Sequence, residues 1–170
     1  TIEFGELCYA REARASYQDF LAAKKRGALP DGIRFQLAMP TPIAVIGTFI
    51  VPEDREKLLP AYERAMIAEA ERACAAIPHK DLTIQWDVAW EMCEWDNRLP
   101  RMPLPENAEA LYRGRFKLLC QAVHADVELG IHLCYGDLDA KHGIEPESLA
   151  KAVELANLIV STSPRPVNYI

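Results

Sequence analysis

The alternation of strand-like and helix-like segments is the feature that most constrains the fold of this chain. Strand composition, with β-branched and other apolar residues in short runs, marks residues 2–7, 33–39, 82–90, 127–135 and 166–170. Helical periodicity marks the segments between them, residues 10–26, 52–77, 106–123 and 146–160. Such an order predicts parallel strands joined by right-handed helical crossovers. We therefore expect an α/β fold.

Two connecting segments are harder to assign. Residues 43–51 are apolar and fit either a strand or a buried loop, and Pro60 predicts a break in the helix over 52–77. Residues 91–105 contain three prolines and no clear period, which predicts a long loop. Loops of that length inside compact domains often form lids or binding loops.

The strands over 82–90 and 127–135 alternate between an apolar and a polar face. In the first, Thr83, Gln85 and Asp87 share the polar face, and in the second His132 and Cys134 do so. Strands of a doubly wound sheet are apolar on both faces, and no glycine-rich phosphate loop follows any strand here. A polar second face instead fits the interior of a barrel near its active end.

We therefore predict that the chain is a single segment, residues 1–170, of a (β/α)8 TIM barrel. A typical barrel needs about 250 residues, so 170 residues correspond to about half to two-thirds of it, incomplete at both ends. A homo-oligomer, or a partner that completes the barrel, is then expected. Otherwise an open half-barrel would expose its sheet edges.

Composition excludes several classes of function. The net charge of -6 disfavours a nucleic-acid surface, which needs clustered basic residues. No apolar run reaches the roughly 18 residues of a membrane span. Five widely spaced cysteines without a CxxC motif fit a reduced, cytoplasmic setting.

His132 and Cys134 are the strongest candidates for chemistry. They lie two positions apart on one strand face, so their backbones are about 6–7 Å apart and the side chains could converge on one ion. The competing interpretation is that both are ordinary buried residues, because two ligands fall short of the usual three or four around zinc.

The runs Ile131-His132-Leu133-Cys134-Tyr135 and Ile84-Gln85-Trp86-Asp87 resemble the C-terminal barrel of cobalamin-independent methionine synthase, in the uroporphyrinogen decarboxylase/methionine synthase-like superfamily. The resemblance implies that His132 and Cys134 bind a catalytic zinc and that Asp87 contacts the amino group of a thiol substrate. It further implies a folate-type methyl donor. The family follows the aspartate motif with Glu-Pro, whereas Val88 and Ala89 stand here, and its remaining zinc ligands would fall past Ile170.

Gln85, Gln36 and Glu6 occupy comparable strand positions and are predicted to line the substrate site as a polar wall. His142 in the loop over 136–145 could approach the same mouth, whereas His79 and His124 lie beside helix ends and are assigned no chemistry. Three functions stay open. They are zinc-dependent alkyl transfer to a small-molecule thiol, a metal-independent decarboxylase or lyase that uses Asp87 and Arg34, and a non-catalytic fragment that associates with a partner.

Overall fold

A computed structural model describes residues 2–98 and 103–170 and shows a mixed α/β fold. In chain order its main elements are α1 (Tyr9–Lys25), β1 (Phe35–Pro40), α2 (Pro42–Phe49), α3 (Pro52–Ala76), β2 (Leu82–Val88), α4 (Trp90–Asp96), α5 (Ala108–Gln121), β3 (Glu128–Leu133) and α6 (Ala150–Thr162). Short 3-10 turns lie at His79–Asp81 and Leu138–Ala140. No helix of the described ranges has both the length and the apolar character that crossing a bilayer requires.

The three strands form one parallel sheet in the order β1-β2-β3. The register pairs Thr83 of β2 with Gln36 on one side and Glu128 on the other. At the far end of the same strands, Asp87 pairs with His132. Because the strands are parallel, residues that end neighbouring strands lie together at one edge of the sheet.

The hydrophobic core lies between the helices and one face of this sheet. Alternate residues of β2 (Leu82, Ile84, Trp86 and Val88) are completely buried there. They belong to one cluster with buried residues from every helix, and the Trp86 indole donates a hydrogen bond to the Leu119 carbonyl of α5 at 3.1 Å. The helical and two-residue periods predicted this burial correctly. The polar side chains of β2 therefore occupy the opposite face.

Several predicted elements are confirmed within a few residues, and others are wrong. Most of the segment over 43–51 is neither strand nor loop but helix α2, which ends at Phe49. Thr41 caps this helix, and its hydroxyl accepts the Ala44 N–H at 3.3 Å. Helix α3 continues through Pro60 without a break. Pro60 is exposed, so water can bond the carbonyl that the proline leaves free.

The predicted strand over residues 2–7 does not form. Its end is held by a buried side chain of α3 instead, since both carboxylate oxygens of Glu69 accept backbone N–H groups, from Leu7 at 3.0 Å and from Ala10 at 2.7 Å. The last backbone N–H of the predicted strand is thereby bound to a helix side chain instead of a sheet.

The predicted fifth strand, residues 166–170, is reduced to one isolated bridge between Gly130 and Tyr169. Two backbone hydrogen bonds hold it beside β3, from Asn168 to Leu129 at 2.8 Å and from Ile131 to Tyr169 at 3.1 Å. The predicted loop over 91–105 begins as helix α4, and residues 99–102 of it lie outside the described residues. A sheet of three strands does not show a TIM barrel.

Candidate functional site

The carboxyl ends of the three strands bring polar residues together along one edge of the sheet. We call this the carboxyl edge and define it by Thr41 after β1, Asp87 near the end of β2, Glu91 at the start of α4, His132 near the end of β3 and Cys134 just after it. Binding sites of open parallel sheets lie at this edge because the loops that follow the strands surround it. The positions of Asp87, His132 and Cys134 follow the sequence prediction.

Asp87 and His132 form the centre of the carboxyl edge. Asp87 Oδ1 lies 3.3 Å from His132 Nδ1 and also accepts a hydrogen bond from the Gln85 amide at 2.8 Å. Both side chains are partly exposed, with 34% and 51% of their surface accessible. With Nδ1 turned to the carboxylate, the second ring nitrogen of His132 remains free to bind a ligand or a proton.

The polar wall predicted from Gln36 and Gln85 is present and includes a residue that the sequence did not single out. The Gln36 amide donates to Gln85 Oε1 at 2.6 Å and to the Tyr169 hydroxyl at 3.0 Å, and that hydroxyl donates to Gln85 Oε1 at 3.2 Å. The Tyr169 ring crosses Gly130 so closely that a Cβ there would lie 2.1 Å from it. The only sequence signal for this contact was a glycine inside a strand.

Cys134 follows β3 and is half-buried, and its N–H donates to the Val88 carbonyl at 3.3 Å. Burial raises the pKa of the Cys134 thiol, a backbone hydrogen bond at Gly136 opposes that effect, and the negative charges of Asp87, Asp137 and Glu91 add to it. The thiol is therefore protonated at neutral pH in the absence of a cation. A bound cation would reverse this preference.

Glu91 is the feature of the carboxyl edge that sequence reasoning missed, because its segment was assigned to a loop. Its residue is 2% exposed, and burial raises the pKa of its carboxyl to about 7, with the negative charge of Glu94 adding to this and a hydrogen bond to Thr41 opposing it. Glu91 Oε2 has no hydrogen-bond partner among the described residues. A buried carboxyl that titrates near neutrality can donate or accept a proton.

A cavity of about 450 Å³ opens beside His132. Gln85 and Tyr169 supply its polar lining, and Leu133 and Val153 contribute to its apolar walls. Its size lies within the range of small-molecule sites, and its combination of apolar walls with a few polar groups is typical of them.

Other candidates from the sequence lie elsewhere. Glu6 is exposed and its carboxylate is 3.9 Å from Arg11, away from the polar wall. Arg34 pairs with Glu128 at 3.1 Å and donates to the His79 carbonyl at 3.1 Å, so it is occupied near the opposite ends of the strands. His142 is exposed and 3.0 Å from a Glu145 oxygen.

The structure also brings together a group that the sequence analysis set aside. Within the described ranges, His79, His124 and Asp126 form the only set of three histidine, cysteine or acidic residues whose ligand atoms lie within 4.8 Å of one another. They lie before β2 and β3, at the edge opposite His132 and Cys134. The signal in the sequence was that each histidine precedes a predicted strand by only a few residues.

Comparisons with known proteins add no relative. No family model matches the chain, no curated protein matches it, and no solved structure matches its fold.

Proposed function

We propose that the carboxyl edge binds a small molecule and catalyses zinc-dependent transfer of a methyl or other alkyl group to a thiol. The observation that supports this is the contact of 3.3 Å between Asp87 and the His132 ring, with the Cys134 thiol close enough for the Asp87 charge to raise its pKa. An oriented imidazole that lines the cavity and a thiol two residues further along the chain are the two functional groups that this chemistry requires.

The donor set of the carboxyl edge fits zinc. Imidazole nitrogen and cysteine sulfur are both zinc ligands, and a carboxylate at the other ring nitrogen is the arrangement that orients a zinc-bound histidine. His132 and Cys134 would hold the ion, and a bound zinc lowers the pKa of a thiol that coordinates it. His132 and Cys134 belong to no set of three possible ligands within 4.8 Å of one another in the described part of the chain, so a partner chain would supply another ligand.

Residues of the chain itself determine how easily the Cys134 thiol loses its proton. Cys134 must lose its proton to act as a ligand, and an ionised Glu91 opposes that loss. Because the pKa of Glu91 is about 7, Glu91 is largely neutral below that pH and no longer opposes the loss of the thiol proton to a bound ion. Asp87 remains able to attract an ammonium group of a substrate, while Gln36 and Gln85 fix the position of polar substituents.

Zinc affinity of single variants tests the proposal. A His124→Ala background removes the histidine group at the opposite edge, and His132→Ala and Cys134→Ser are then expected to lose zinc. Asp87→Asn should weaken zinc binding by about 10- to 100-fold, because it removes only the group that orients His132. His142→Ala is the matched control, an exposed histidine beside a carboxylate. Equal zinc binding in the control and in His132→Ala would contradict the proposal.

A metal-independent decarboxylase or lyase is the second candidate, and the titration of Glu91 near pH 7 favours it. Acid-base catalysis works best when the catalytic pKa lies near the working pH. Arg34 cannot contribute as expected because Glu128 and a carbonyl occupy it. Binding of a polycarboxylate such as citrate to metal-free protein, measured by calorimetry, would support this function, and absence of binding would contradict it.

We also propose that the sheet is part of a (β/α)8 barrel that a second copy of the chain completes. The sequential strand order, the apolar face toward the helices and the polar opposite face support this. Leu149, Val153 and Ile170 are exposed beside the cavity, where a second copy of the chain would cover them. Sedimentation should show a concentration-dependent dimer, and a monomer at every concentration would exclude this assembly.

A further inference from the structure

The amino edge of the sheet, defined by His79, His124 and Asp126, is built by the same strand register as the carboxyl edge. Thr83 pairs with Glu128, and each histidine lies four residues before its strand's member of that pair. The two imidazole rings are in contact in a tilted arrangement, with centroids 4.2 Å apart and an interplanar angle of 37°. Parallel pairing therefore brings two equivalent positions of the chain into contact.

Hydrogen bonds determine which ring nitrogens carry protons when both rings are neutral. His79 Nε2 lies 3.1 Å from the Cys74 carbonyl, which can only accept, so the proton is on Nε2 and Nδ1 has a lone pair. His124 Nδ1 accepts the Asp126 backbone N–H at 3.3 Å, so it too is unprotonated, and an ion bound there would replace this long hydrogen bond. Both Nδ1 atoms face Asp126 Oδ2, at 3.9 Å and 3.7 Å. Three electron-pair donors thus converge.

The distances indicate what kind of cation would fit between these donors. A shared proton needs a nitrogen-oxygen distance of about 2.7–3.2 Å, shorter than the 3.7 Å and 3.9 Å observed. Ligand atoms around a tetrahedral zinc, at bond lengths of about 2.0–2.2 Å, lie about 3.3–3.5 Å apart. The observed separations are closer to those of ligands around an ion.

We propose that His79, His124 and Asp126 bind a divalent transition-metal ion, and specifically Zn²⁺. Two imidazoles and one carboxylate are the donor set of zinc sites that keep an open fourth position. A cavity of about 320 Å³, lined by Glu71, Cys74 and both histidines, adjoins the group and offers room for that fourth ligand. The bond from His79 Nε2 to the Cys74 carbonyl is the outer-shell contact that fixes a metal-binding histidine.

The backbone around the group is already held in place. The Arg165 guanidinium holds the turn before β3. It donates to the Val123 carbonyl at 2.9 Å and also to the His124 and Val127 carbonyls. Arg34 donates to the His79 carbonyl at 3.1 Å. Such support reduces the ordering that an ion must impose on its ligands. The ion would then tie the segment before β2 to the turn before β3.

The test is a Zn²⁺ titration of the whole chain against a chromogenic chelator, together with thermal unfolding with and without Zn²⁺. All variants carry His132→Ala and Cys134→Ser, so that the carboxyl edge contributes no zinc. In this background we expect one Zn²⁺ per chain and a higher melting temperature with the ion, because a ligand that binds only the folded state stabilises it. Absence of both effects would overturn the inference.

Single substitutions assign the site. His124→Ala and Asp126→Asn should each lower the Zn²⁺ affinity by at least about tenfold and remove most of the thermal shift. Asp126→Asn keeps the shape of a side chain that is 77% exposed, so folding is preserved even where His124→Ala impairs it. His142→Ala should leave affinity and shift unchanged. Unchanged affinity in Asp126→Asn, or an equal loss in His142→Ala, would place any bound zinc elsewhere and contradict the inference.

Discussion

The two edges of the β2–β3 pair share one register and differ in chemistry. At the carboxyl edge, Asp87 and His132 are 3.3 Å apart and a glutamine amide also bonds the carboxylate, so the donors and acceptors complement each other. At the amino edge, the Nδ1 atoms of two tilted imidazoles face the same Asp126 oxygen at 3.7 Å and 3.9 Å, too far to share a proton with it. Parallel register brings residues together, but the surrounding hydrogen bonds decide what they can bind.

The two edges also differ in how deeply their acidic side chains are buried. Glu91 at the carboxyl edge is 2% exposed and its pKa is raised to about 7, whereas the Asp126 side chain at the amino edge is 77% exposed. A carboxyl that loses its hydration is shifted toward the neutral form, while a solvated one remains ready to pair with a cation. The two carboxyls therefore differ in environment, since Glu91 is buried and able to hold a proton near neutral pH, whereas Asp126 is open to solvent.

Among the predictions, the largest effect is expected for Glu91→Gln, which removes the buried carboxyl and changes how stability depends on pH. Since the pKa of Glu91 rises from 4.5 to about 7 on folding, the folded state retains a proton that the unfolded state loses. Wild-type stability should thus fall between pH 4.5 and pH 7 and stay reduced above it. Glutamine mimics the neutral acid, so the variant should be more stable than wild type by on the order of 3 kcal/mol at pH 8.

Urea unfolding from pH 4 to pH 8 measures that gain. Wild type and Glu91→Gln should be similar at pH 4, because the acid is neutral there in both states. Glu109→Gln is the matched control, since it removes one acid from a helix surface where the side chain is 64% exposed. If Glu91→Gln and Glu109→Gln show the same pH dependence, Glu91 is not the buried acid that distinguishes the carboxyl edge.

The sequence predicted the parts of the fold that depend on periodicity. Alternation along 82–90 and 127–135 correctly identified the polar face with Asp87 and His132. A shift of one residue would turn the apolar side chains away from the core, so burial of the opposite face permits only one register. It could not predict that Glu69 binds the backbone of Leu7 and Ala10, since that contact joins residues distant in the chain. Glu91 was missed for a similar reason, as its burial depends on the helices around it.

Gly130→Ala should disturb the carboxyl edge and leave the amino edge intact. The new Cβ would lie 2.1 Å from the Tyr169 ring, so the ring must move and lose its bonds to Gln36 and Gln85. We expect a loss of stability on the order of 1 kcal/mol, measured by urea unfolding. Zn²⁺ affinity of the amino edge should not change.

Gly114→Ala is the matched control for that substitution. No atom lies within 4 Å of a Cβ at residue 114, which is exposed in α5, so alanine should stabilise the helix by about 0.5–1 kcal/mol. Opposite signs for the two glycines would confirm the contact with Tyr169. Equal effects would mean that the segment around Tyr169 moves aside without cost.

Asp87→Asn should have the smallest effect, on the reactivity of Cys134. Burial is the main cause of the raised pKa of Cys134, and the negative charge of Asp87 is a lesser one. Removing that charge increases the thiolate fraction, but a less basic thiolate is also a weaker nucleophile, so iodoacetamide should modify Cys134 about twofold faster. Mass spectrometry measures this rate beside that of Cys74, a buried cysteine near the amino edge that should be unaffected. An unchanged rate at Cys134 would mean that the charge of Asp87 does not contribute to the pKa of the thiol, and Asp87 would then act on His132 alone.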